Sequence, residues 1–209
     1  MLPSTRATLI GALAVALWSG LALLTVATAP MPPFLLCAAS FAIAGLTGLG
    51  WIAAGPGFRV LAGVPLRAYV VGTAGLFGFH ALYFSALRLA PPAEAGLISY
   101  LWPLFIVLGS GFLPGERLRP AHVAGAALAF AGAALLLAPS GHGAAGARVL
   151  TGYGLAFLCA LTWAAYSLAS RRLAAVPTAA VAINCLATAA LAGLAHLTFE
   201  TPAAPATPA

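Results

Sequence analysis

The chain has 209 residues, 63% of them hydrophobic and only 6% charged, and its net charge of +6 comes from nine arginines against three glutamates with no lysine or aspartate. Ordinary soluble domains carry roughly 25% charged residues, and so little polar surface cannot cover one water-soluble core. The arginines fall in short connections between long apolar runs, which excludes nucleic acid as their partner and makes them determinants of membrane orientation.

Seven apolar runs of about eighteen residues or more predict helices that span the roughly 30 Å hydrocarbon core, where a helix satisfies its own backbone polar groups. In chain order the predicted spans are 7–29, 33–54, 69–87, 95–113, 121–138, 152–170 and 178–197. The first follows Arg6 and ends Ala27-Thr28-Ala29, a pattern with some likeness to a signal peptide. It is too long for an h-region of about 7–15 residues and reads as a span. It carries Trp18, Ser19 and Thr25. The second begins after Pro30-Met31-Pro32-Pro33 and closes near Trp51, which with Tyr69 reads as an interfacial aromatic. The third holds His80 and Tyr83 at i, i+3, on one helix face, and a Gly72, Gly75, Gly78 series that reads as close helix packing. In the fourth, Ser99 and Trp102 share the i, i+3 spacing. Pro103 follows, freeing a carbonyl and bending the helix, as at a cavity wall. Gly125 and Gly132 in the fifth again read as close packing. The sixth presents Trp163, Tyr166, Ser167 and Ser170 as one stripe, and the seventh carries Asn184, read as an interhelical hydrogen bond more readily than a ligand. Breakers such as Gly55-Pro56-Gly57, Pro91-Pro92, Pro114-Gly115 and Pro139-Ser140-Gly141 fill the connections.

Alternate connections place Arg6, Arg59, Arg67, Arg117, Arg119, Arg171 and Arg172 on one side and only Arg88 and Arg148 on the other. That asymmetry predicts a cytoplasmic N-terminus. An internal repeat at an offset of 145 brings Leu17-Trp18 onto Thr162-Trp163 and Pro32 onto Pro177, with the two copies running in opposite senses. Inverted repeats of this kind are a recurring plan of secondary transporters. The cysteines Cys37, Cys159 and Cys185 fall within apolar runs without metal-ligand spacing, so packing is expected rather than a disulfide framework or a metal site.

Enzyme chemistry finds no support. HExxH, GxSxG, a phosphate-binding glycine loop and a carboxylate pair are all missing from the sequence. Gly109-Ser110-Gly111 has a superficial likeness to an intramembrane serine nucleophile, but no later span holds a histidine deep enough to activate it. No catalytic residue and no cofactor are expected, and His122, His142 and His196 lie at span ends or in connections.

The segments ATLIGALAVALWSG (7–20), EAGLISYLWPLFIVLGSGFLPGERL (94–118) and LTWAAYSLASRRL (161–173) resemble the drug/metabolite transporter superfamily, specifically its EamA-type members. Within these, the YLWP block and the WAAY of the sixth span are most similar to the YddG-like aromatic amino-acid exporters. The Glu116-Arg117 pair is general to EamA repeats. The resemblance implies an all-α polytopic membrane protein of ten spans in two inverted five-helix repeats, exporting amino acids across the bacterial inner membrane. Residues 1–140 would be the first repeat. Residues 141–209 would be the start of a second, incomplete one with a Pro/Ala-rich tail, so that seven of ten spans are present. Either the sequence is a first part of a longer protein, or a seven-span chain completes its cavity as a homodimer. The positions matching the family's cavity are Trp18, His80, Tyr83, Tyr100, Trp102, Trp163 and Tyr166. His80 stands where some relatives carry an acid, and the arginine common early in the second helix is replaced by the Cys37-Ala38-Ala39-Ser40 region.

Such a cavity suits aromatic or other apolar amino acids, whose rings would meet the Trp and Tyr faces and whose ammonium could sit over one of them. The Trp163 indole N–H, His80 and the tyrosine hydroxyls are the donors available to a carboxylate. No Asp or Glu lies within a predicted span, and Glu94 sits at the edge of the fourth. Facilitated rather than proton-coupled export is therefore expected, with His80 the one candidate proton carrier. A multidrug exporter of lipophilic cations and a non-transporting membrane scaffold are the alternatives.

Overall fold

The structure, a computed structural model, describes residues 3–113, 118–137, 146–173 and 176–200, and all of its regular structure there is helical. In order these are α1 (Pro3–Ser19), α2 (Leu21–Ala27), α3 (Pro33–Ala54), α4 (Leu66–Leu89), α5 (Pro92–Ser99), α6 (Trp102–Ser110), α7 (Pro120–Leu137), α8 (Ala147–Arg171) and α9 (Ala180–Phe199). Prolines open several of them, with Pro33 and Pro92 in the first turn, where the missing N–H costs no hydrogen bond. Between α3 and α4 a short 3₁₀ turn, Phe58–Leu61, is flanked by Gly57 and Gly63 at φ of 75° and 84°, a left-handed conformation suited to glycine.

Among the described residues, six segments are long and apolar enough to cross a bilayer: 8–27, 33–54, 66–89, 92–110, 147–171 and 180–199. The apolar part of α7, Pro120–Gly132, is shorter. Together these are the seven predicted spans, with two differences. Span one is interrupted at Gly20 and span four at Tyr100-Leu101, so each is a pair of shorter helices. The second break follows from Pro103, which cannot donate to the Ser99 carbonyl one turn earlier. The helices α4 and α8 also extend beyond the apolar runs, at both ends.

Helix α4 is the hub, packed against α8, α9 and α3 and touching α2 and α5. Its glycine series explains this. A Cβ at Gly72 would run into the Asn184 amide, one at Gly75 into the Tyr166 ring, and one at Gly78 would lie 3.0 Å from the Thr162 methyl. Where lipid removes any hydrophobic drive between helices, such close backbone approach is the main source of packing energy. Helices α3 and α9 run antiparallel over their length, with Gly48 against Ala182 and Gly45 against Leu186. The expectation for Gly125 and Gly132 is not met: nothing lies within 4 Å of a Cβ at either. They border an apolar groove of about 650 Å³ between α6 and α7 instead.

The two ends of the bundle differ. At one end, Arg88 Nη2 donates to Thr28 Oγ1 (3.2 Å) and the Met31 carbonyl (3.1 Å), and Arg148 Nη2 donates to the Arg88 carbonyl (3.1 Å). The Tyr153 hydroxyl donates to Glu94 there. Glu200, at the end of α9, accepts from the Phe34 and Leu35 N–H groups (2.8 and 3.2 Å) and from His196 Nδ1 (2.7 Å). His196 therefore has a structural role that its sequence context did not announce. At the other end Arg59, Arg67, Arg119, Arg171 and Arg172 are exposed. The Glu116-Arg117 pair, His142 and the tail after residue 200 lie outside the described residues.

Candidate substrate cavity

A cavity of about 280 Å³ opens toward the Arg88 end, bounded by both interrupted spans. Trp18 and Ser19 come from the end of α1, just before the Gly20 break. Ser99, Tyr100 and Trp102 come from the α5–α6 break, and Phe79 and Tyr83 from the middle of α4. Each break brings side chains of its two helices to one place, as interrupted helices at membrane depth do where they border a cavity. Ser99 is only 2% exposed, and its hydroxyl lies beside the Cys159 thiol.

Three indoles form the framework. Trp18 stacks on Trp102 at 6.1 Å with 28° between planes, and meets Trp163 at 5.4 Å; Trp102 meets Trp163 edge-on at 6.5 Å. Trp163 stands directly behind the lining, 4.7 Å from Phe79, which in turn stacks on Tyr83 at 5.6 Å. All these separations fall in the range of favourable aromatic pairs. Trp18 and Trp163, the two positions joined by the offset of 145, are thus in contact.

Of the seven residues expected to share a site, Trp18, Tyr83, Tyr100 and Trp102 line this cavity and Trp163 backs it. Tyr166 touches Trp163 at 5.3 Å but borders a different, more polar chamber with Gly72 and Asn184. His80 is placed elsewhere. Its ring sits against Phe41, Phe79 and Phe84, and Nδ1 donates to the Leu76 carbonyl at 2.9 Å. A three-residue step turns a helix by about 300°, leaving Tyr83 and His80 about 60° apart, and α3 takes one side while the cavity takes the other. Phe79, four residues before Tyr83, is the true face-mate; a four-residue step was the available signal. Among the cavity's lining residues there is no Asp or Glu, and among the described residues no His, Cys, Asp and Glu cluster could hold a metal ion. The Ser110 hydroxyl donates to the Val107 carbonyl of its own helix at 2.7 Å.

A family model described as the EamA-like transporter family matches residues 5–138. The chain belongs to that family. It is 56% identical over 198 residues to the aromatic amino acid exporter YddG of Ancylobacter novellus, an alignment spanning 94% of this chain and 69% of that protein. A solved crystal structure, described only as that of a protein, matches with a TM-score of 0.76 and 54% identity, covering 97% of this chain and 70% of its own. As an EamA-like transporter the chain is a multi-pass membrane protein, and its tryptophan-framed cavity lies within a transporter fold.

Proposed function

We propose that this EamA-like chain exports aromatic amino acids across the bacterial inner membrane by alternating access, and performs no catalysis. The observation that carries the reading is the triangle of Trp18, Trp102 and Trp163 around a cavity whose floor is Phe79 and Tyr83. A planar side chain entering it meets ring faces and edges on several sides, each pair contributing about 0.5–1.5 kcal/mol beyond area burial. The substrate ammonium sits over an indole face, and the Ser99 and tyrosine hydroxyls serve the carboxylate. The name of the Ancylobacter relative supports the substrate class.

In this reading Trp18, Tyr83, Tyr100 and Trp102 bind substrate, Trp163 braces their rings from behind, and Tyr166 and His80 do not touch it in this state. Residues 1–140 form a first repeat and 141–209 the beginning of an inverted second one; the Trp18–Trp163 contact supports that pairing. The exposed arginines of one end support a cytoplasmic N-terminus. Export is facilitated, because Glu94 is engaged by Tyr153 at the rim and no carboxylate reaches the cavity. A cavity for lipophilic cations would want that missing acid. The test is counterflow in proteoliposomes: labelled tryptophan enters vesicles preloaded with unlabelled tryptophan and is indifferent to an imposed pH gradient. No exchange of any aromatic amino acid sinks the proposal, and uptake driven by the pH gradient sinks its facilitated character.

A further inference from the structure

The apolar groove of about 650 Å³ along α6 and α7 has two unlike walls. Leu101, Leu104 and Val107 stand on one side, and Gly125, Ala129 and Gly132 on the other. A Cβ added at Gly125 or Gly132 meets nothing within 4 Å, so the space reaches the backbone of α7. Leu118 packs over Gly111 and holds the ends of α6 and α7 together at the arginine-rich end. Val107, Gly125 and Ala129 are exposed, so the groove is open along its side to the surrounding bilayer.

Length decides what can lie in it. From His122 to Gly132 is ten residues of one helix, about 15 Å, or half of the roughly 30 Å hydrocarbon core. The groove therefore begins at one interface and ends beside Tyr100 and Leu101, midway along the span 92–110. A spanning helix, of this chain or another, needs a seat about twice as long. One leaflet is the reach of a lipid acyl chain.

A lipid whose chain lies there holds its head beside the first turn of α7. Arg119 is exposed at that point, and its backbone N–H donates to His122 Nδ1 at 3.3 Å. With Nδ1 accepting, the neutral imidazole carries its proton on Nε2, which is then a donor. A guanidinium and an N–H donor side by side at an interface favour an anionic head, as basic pockets between spanning helices do.

We propose that this groove is a lipid site: one acyl chain of an anionic phospholipid lies between α6 and α7, with its phosphate on Arg119 and His122. The site goes beyond the export reading and does not depend on it. Leu97 and Tyr100 line both the groove and the tryptophan cavity, so the tip of the chain backs a wall of the substrate site.

Delipidated protein is titrated with dioleoyl phosphatidylglycerol or dioleoyl phosphatidylcholine, and bound lipid is counted by native mass spectrometry. The first phosphatidylglycerol binds about fivefold more tightly than the choline lipid, the effect of one basic side chain on an anionic head. Arg119→Gln removes that preference, whereas Arg59→Gln, exposed at the same end but outside the groove, leaves it intact. Gly125→Leu fills the groove without a clash at Cβ and weakens binding of both lipids. Equal affinity for the two lipids in the wild type, loss of preference in both arginine variants, or full binding by Gly125→Leu overturns the site. So does a protein dimer that Gly125→Leu dissociates, which assigns the groove to a second copy. If Gly125→Leu does not accumulate folded, the two arginine variants decide between the same outcomes.

Discussion

Replacing Trp102 with alanine tests the tryptophan cavity most directly, because Trp102 both lines it and braces its frame. The truncation removes a stacked pair with Trp18 and an edge-on pair with Trp163. At about 0.5–1.5 kcal/mol each, those pairs amount to about 1–3 kcal/mol of packing between the first, fourth and sixth spans. The substrate ring loses one face as well, and a single pair of that strength corresponds to about a 2- to 13-fold rise in half-saturating concentration. Pro103 is untouched, so the α5–α6 break survives and the backbone of the site keeps its course. The assay is tryptophan counterflow in proteoliposomes, normalised to folded protein by size exclusion and thermal unfolding. Trp102→Phe retains a ring and recovers most of the loss, whereas Trp102→Leu, apolar but not aromatic, does not. A folded Trp102→Ala protein with unchanged half-saturation, or a Leu variant as good as Phe, refutes the role given to ring contacts.

Other outcomes follow from the same packing. His80→Phe keeps tryptophan exchange and its indifference to a pH gradient, since the ring already sits among Phe41, Phe79 and Phe84; loss of flux would make His80 part of the route. Gly72→Ala drives a methyl into the Asn184 amide and costs about 1–3 kcal/mol, the usual range for overpacking. Thermal unfolding in detergent measures it, and an unchanged midpoint contradicts the α4–α9 contact. Glu200→Ala strips a carboxylate from the Phe34 and Leu35 N–H groups and from His196, lowering stability by about 1–2 kcal/mol as a lost helix cap does. Glu200→Gln retains part of it, and equal stability of all three proteins would refute the tie.

The span pattern was legible because length and apolarity act on one helix at a time, and a run such as 33–54 carries its own evidence. The Tyr100-Leu101 break was legible through Pro103, which removes a specific hydrogen bond. The Gly20 break was not, since a single glycine in an apolar run is as common within helices as between them. The site divides along similar lines. The tryptophans met because Trp18 and Trp102 stand beside the breaks in spans one and four and Trp163 lies on α8, which packs against α5 and α6. His80 and Tyr83 parted because an i, i+3 pair straddles two neighbours, and only the positions of α3 and α8 decide which residue each neighbour takes. The glycines make the point most sharply. Gly72 and Gly125 look alike in sequence, but one receives the Asn184 amide and the other faces an apolar groove.

The bonds of Arg88, Arg148, Glu94 and Glu200 all tie helix ends at one rim, each joining segments far apart in the chain. Mechanically, that rim is a fulcrum. A helix of about 20 residues is a rigid arm about 30 Å long, so a tilt of about 10° about its tied end sweeps the free end through about 5 Å. The tied end barely moves. A tilt about that rim would therefore carry the arginine-rich ends of α4, α8 and α9, which enclose the Asn184 chamber, farther than the tied ends, and a cross-link there would oppose it more than the same cross-link at the Glu200 rim.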